Sequence, residues 1–167
     1  MTNKRVFSFA LAAASLVHTP ASHAQATAAS NVRVVRWSGV LRPKISNRLD
    51  AKTAEVTRYT GGVNLVQPRA EAPDYLRIEI NVSSTGGSEL MEWALLPARC
   101  GSAVMPLLQA ADVPPIQVPS GGNGEQSFEV SLKLDPAASY HLDIYHGGHS
   151  QNNLVACADL RFQKPGK

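Results

Sequence analysis

The chain has 167 residues, 44% of them hydrophobic and 17% charged, a composition that fits one ordinary globular domain and excludes disordered and collagen-like chains. Its formal charge is +3. Lys4 and Arg5 account for two of those charges and stand in a segment expected to be removed, which leaves +1; with few aromatics among the scattered basic residues, a nucleic-acid surface is not expected.

Lys4 and Arg5 precede a 12-residue apolar run, 6–17, and then come Pro20 and the small-residue sites Ser22-His23-Ala24 and Ala24-Gln25-Ala26. This is the order of a secretory signal peptide, assigned to residues 1–26. The run is too short to cross a hydrocarbon core of about 30 Å, which takes about 20 helical residues. The protein is therefore expected to be exported, periplasmic or secreted, with no transmembrane segment after cleavage and a single domain over residues 27–167.

Beyond the signal, period-two alternation dominates. A polar, basic stretch at 43–52 reads as a surface loop. Leu76, Ile78, Ile80 and Val82 alternate with Arg77, Glu79 and Asn81, which predicts a strand with one buried and one wet face. Met91, Trp93 and Leu95 suggest another. Residues 97–119, with Pro97, Pro106, Pro114, Pro115 and Pro119, form the longest irregular connection. Gly-Gly-Asn-Gly at 121–124 reads as a hairpin turn, because it lacks the Lys-Ser/Thr and the helix that a phosphate cradle needs. Phe128, Val130, Leu132 and Leu134 alternate next, then Tyr140, Leu142 and Ile144, and 154–162 reads as a closing strand.

With turn residues between these runs and no amphipathic helical stripe outside the signal, the predicted class is all-β. About seven strands favour a two-sheet antiparallel Greek-key β-sandwich of immunoglobulin-like kind, with a closed barrel as the main competitor. Trp37 and Trp93 read as core fillers. Cys100 and Cys157 are the only cysteines, and in an oxidising compartment the pair is expected to join.

Candidate chemistry is sparse. His141, His146 and His149 stand with Asp143 in Y-H-L-D-I-Y-H-G-G-H, a cluster that offers ligands for Cu or Zn. His141 and Asp143 share one strand face, and the Gly-Gly turn allows the later imidazoles to fold back. No G-x-S-x-G elbow is present, and a paired cysteine is no nucleophile. The carboxylates Glu89 with Glu92 and Glu71 with Asp74 read as solvated surface, because acid-base work would need burial of one of them.

The order W-S-G-V-L, V-N-L-V-Q-P, L-R-I-E-I-N-V, M-E-W-A-L-L-P-A-R-C-G, P-L-L, Y-H-L-D-I-Y-H and L-V-A-C-A-D-L resembles small exported bacterial proteins of the CHRD and Cu,Zn superoxide dismutase-like group. The resemblance implies a superoxide dismutase-like β-sandwich and a disulfide from the last strand to the long loop, the places of Cys157 and Cys100. It does not carry dismutase activity. Where that group has a copper-binding H-x-H pair this chain has Glu92 to Leu96 without histidine, and residues 101–119 offer only Asp112 among zinc ligands. The position of a further family histidine is taken by Tyr145. The expected role is a non-catalytic binding or envelope-interaction module whose partner is an unknown protein or small ligand. The alternatives are a Cu- or Zn-binding degenerate relative of the dismutases and a structural subunit that assembles through a strand edge.

Overall fold

A computed structural model describes residues 34–44, 59–68, 75–86, 88–108 and 112–164. The expected signal segment, most of the 43–52 stretch, Glu71 and Asp74 lie outside the described residues. Eight strands follow in order: β1 (Val34–Pro43), β2 (Tyr59–Pro68), β3 (Tyr75–Ser84), β4 (Glu89–Pro97), β5 (Ile116–Val118), β6 (Asn123–Ser131), β7 (Tyr140–His146) and β8 (Leu154–Gln163). No α-helix occurs among the described residues. The expected all-β, antiparallel class is what the chain adopts.

The strands form one hydrogen-bonded sheet in the order β5-β4-β7-β8-β1-β2-β3-β6, nearly closed as a barrel. Its two edge strands meet at a tight seam: a Cβ on Gly124 of β6 would come within 2.7 Å of the Gln117 carbonyl oxygen of β5. β8 is the bridge between the two halves, pairing with β7 on one side and β1 on the other.

Alternation sets the inner face. Leu76, Ile78, Ile80 and Val82 of β3 point inward with Trp37, Trp93, Leu142 and Ile144, all in one buried cluster. Register enforces this, since a one-residue slip of β3 against β2 would turn all four aliphatics to solvent. Each fully buried aliphatic side chain contributes about 1.5–3 kcal/mol. Trp37 packs edge-on against Tyr140, and Trp93 donates its indole N–H to the Pro114 carbonyl at 2.7 Å, so both tryptophans are the core fillers expected.

Three expected boundaries shift, the first being that the connection expected to be irregular over 97–119 contains β5. The hairpin turn is confined to 119–122, with Asn123 and Gly124 already in β6; at the other end β6 stops at Ser131, before Leu132 and Leu134. Leu134 still reaches the core, where its amide donates to the Gln67 side chain.

Candidate functional site

β7 is covered on both faces. Tyr140, Leu142 and Ile144 fill the barrel, and the alternation predicts His141 and Asp143 on a wet outer face; instead they are 0% and 2% exposed. The cover comes from the turn that follows β4. Cys100 is bonded to Cys157 of β8, and the Cys100 amide donates to Oδ1 of Asp159 at 2.8 Å, so the turn is fastened across β8. Ala98 adopts a left-handed backbone, φ 68°, and its carbonyl faces Nδ1 of His141 at 3.2 Å. Ala94, Leu96, Tyr145 and Leu154 form a second small apolar cluster on this outer side.

The polar pair inside this cover is incompletely satisfied. A carbonyl only accepts, so the Nδ1–H of His141 donates to the Ala98 carbonyl. Nε2 lies 3.8 Å from Oδ2 of Asp143, beyond hydrogen-bond range. The Tyr145 hydroxyl donates to Oδ2 at 3.1 Å. Nε2 of His141 and Oδ1 of Asp143 have no partner, and they are two of the three such buried side-chain atoms among the described residues. Burial pushes the Asp143 carboxyl above its ordinary range, opposed by His141, the Tyr145 hydroxyl and the Lys44 charge. Burial likewise pushes the Tyr145 phenol up, helped by the Asp143 charge and their shared hydrogen bond.

The other two histidines are held elsewhere. His146, at the end of β7, places Nδ1 2.8 Å from Oε2 of Glu89. His149, after the Gly147-Gly148 turn, pairs with Glu92 through Nδ1, faces the Trp93 carbonyl through Nε2 at 3.0 Å and stacks on Tyr145 with ring centroids 4.9 Å apart. Among the described residues, the group of possible metal ligands whose atoms lie together, within 4.8 Å of one another, is His141, Asp143 and Cys157. In the bonded form the Cys157 sulfur is shared with Cys100 and is no thiolate.

Glu89 corrects the expectation of solvated carboxylates. Its side chain is 10% exposed and accepts from the Tyr59 hydroxyl at 2.9 Å and the Ser84 hydroxyl at 2.8 Å. Parity explains this: Glu89 has the inward phase of Met91 and Trp93, whereas Glu92 has the opposite phase and is 41% exposed. Burial, then the Glu89 hydrogen bond and charge, push the Tyr59 phenol well above its ordinary range.

One concave surface among the described residues lies on β1 and β8. The two strands pair at 36–38 with 161–163 and again at 42–43 with 156–157. Beside that stretch is a depression of about 630 Å³ lined by Ser38, Arg42, Asn64, Asp159, Arg161 and Gln163, among others. An adjoining one of about 400 Å³ shares Arg42 and Asp159 and adds Lys44, Cys100, Gly101 and Cys157. Among the described residues no carboxylate forms an ion pair with Arg42, Lys44 or Arg161.

No family model matches the chain, and no curated protein does.

The chemistry open to the chain follows from its own side chains. The enclosed His141 and Asp143 are shielded from a substrate, and Glu89 is committed to three donors. The two adjoining depressions on β1 and β8 are open and together carry three cations, Arg42, Lys44 and Arg161, against one carboxylate, Asp159. That net positive lining attracts an anion.

Proposed function

We propose that the protein is an exported binding module that takes a small anionic ligand in the groove along β1 and β8 without covalent chemistry. The observation that carries the reading is that Arg42, Lys44 and Arg161 line adjoining depressions with no carboxylate ion-paired to them among the described residues. Asp159, the acid nearest to them in the lining, gives one oxygen to the Cys100 amide. Arginine side chains offer planar paired donors to carboxylate, phosphate or sulfate groups.

The underlying architecture in this reading is a two-sheet Greek-key sandwich of the superoxide dismutase-like kind. Its support is the sequence resemblance together with strand order: counting β6 beside β5 gives 7-4-5-6, the order of a fourth strand returning beside the first of three. Export is supported by the signal-like first 26 residues and is compatible with the Cys100–Cys157 bond. No described helix is long and apolar enough to cross a membrane. Assembly through a strand edge has less in its favour, because β5 is three residues long and β6 lies against it.

The test is a backbone amide NMR titration with inorganic pyrophosphate. Shifts are expected in β1 and β8, weakening as salt is added and lost in the double variant Arg42→Ala, Arg161→Ala. Shifts spread over the whole surface, or unchanged in that variant, refute the groove as the binding site.

A further inference from the structure

We propose that reduction of the Cys100–Cys157 bond opens a metal site formed by Cys157, His141 and Asp143, suited to a borderline-soft divalent cation such as Zn(II). Three observations converge on it. The ligand atoms of these residues lie within 4.8 Å of one another. Nε2 of His141 and Oδ1 of Asp143 are buried without any partner, the condition that a bound ion relieves. Cys157 is withheld from this set only by its bond to Cys100.

The donor set fits the ion. A neutral imidazole nitrogen, a carboxylate and a thiolate are the ordinary zinc ligands, and a fourth position is left for water. Zinc bonds of about 2.0–2.3 Å draw ligand atoms closer than the present spacing, so the Cys157 sulfur swings inward once released. Nδ1 of His141 already faces the Ala98 carbonyl, which leaves Nε2 as the ligand nitrogen, and the Tyr145 hydroxyl orients the carboxylate. Such outer contacts are what hold metal ligands in place.

The switch balances chemically. A dithiol reductant attacks one sulfur of the bridge through a mixed disulfide and leaves as its own cyclic disulfide. Two electrons and two protons pass to the protein, giving two thiols. Zn(II) then takes the Cys157 thiolate, whose proton goes to solvent, and no metal oxidation state changes. The depression of about 400 Å³ lined by Lys44, Cys100, Gly101 and Cys157 brings solvent to the bridge. The site does not depend on the anion-binding reading, since neither Arg42 nor Arg161 enters it.

Co(II) serves as the probe, because thiolate ligation adds a charge-transfer absorption that carboxylate and imidazole alone do not. The oxidised protein and Cys157→Ser are expected to lack that absorption. The phosphine-reduced protein and Cys100→Ser are expected to show it at one ion per chain. Adding His141→Ala to Cys100→Ser is expected to weaken binding by more than about tenfold. Equal absorption from Cys100→Ser and Cys157→Ser, or no effect of His141→Ala, overturns the proposal. Should Cys100→Ser not fold alone, Zn(II) is expected to restore a cooperative melt to it and not to Cys157→Ser; failure of that rescue also overturns the proposal.

Discussion

Nε2 of His141 stands 3.8 Å from Oδ2 of Asp143 behind the Cys100–Cys157 bridge, with both side chains shut off from solvent. At that distance the two share no hydrogen bond, and each keeps one polar atom unmatched. A buried polar atom left unmatched costs about 1–3 kcal/mol, so this outer face of β7 is maintained against stability.

Replacing Asp143 with Asn in the oxidised protein tests that cost. The amide has the same shape, still accepts from Tyr145 at the Oδ2 position and brings no charge into the buried site. Stability at neutral pH is expected to rise by about 1 kcal/mol, read as a higher urea midpoint. A lower midpoint means that the charge itself is needed for folding.

Alkaline pH acts through the buried phenols, Tyr145 beside Asp143 and Tyr59 beside Glu89. The folded-state pKa of Tyr59 is raised above the ordinary value near 10, first by burial and then by Glu89. Above about pH 10 the folded chain therefore holds a proton that the unfolded chain has lost, and stability falls as pH rises through that window. Tyr59→Phe is expected to lower stability at neutral pH by about 1–2 kcal/mol and to flatten the alkaline fall. Urea titrations at pH values on both sides of 10 distinguish the outcomes; an unchanged slope in the variant assigns the fall to other groups.

The bridge closes a separation of 57 residues. In the loop-entropy picture it stabilises the fold by about 4 kcal/mol. The variant with both cysteines changed to serine is expected to lose most of that amount while keeping the β-sheet circular dichroism. A loss below about 1 kcal/mol contradicts the entropic account.

Gly61 sits in β2 with φ 147°, and a Cβ there would lie 2.0 Å from the Asn81 carbonyl oxygen of β3. Gly61→Ala is expected to cost about 3 kcal/mol or more, combining backbone strain with a clash that forces the ladder apart. Gly101, at φ 87° with nothing within 4 Å of the same position, isolates the backbone share: Gly101→Ala is expected to cost about 1 kcal/mol. Equal losses in thermal melts contradict this division.

The sequence carries the strands in its alternation wherever one face alone is buried. Leu76 to Val82 is such a case: its inward side chains are those the period of two selects. The pairing of Cys100 with Cys157 was also legible, from parity of number and compartment. The burial of His141 and Asp143 was not, because their cover is a turn more than 40 positions earlier and alternation reports only the sheet's own faces. Glu89 was missed for a related reason. Its inward phase follows from Met91 and Trp93, but its partners Tyr59 and Ser84 come from other strands, and nothing local marks them. The groove on β1 and β8 was equally hidden, since Arg42 and Arg161 lie more than a hundred positions apart and meet only through strand register.

The position of β8 bears on assembly in time. Before it docks, the pairings leave two separate ribbons, one of β5, β4 and β7 and the other of β6, β3, β2 and β1, with no ladder joining them. Because β8 is the last of the eight in chain order, a chain emerging N-terminus first cannot complete its shell, or bring Cys157 within reach of its partner, until those final ten strand residues have arrived. A fragment ending before Leu154 would be left with two open half-sheets, each presenting a bare flank to its surroundings.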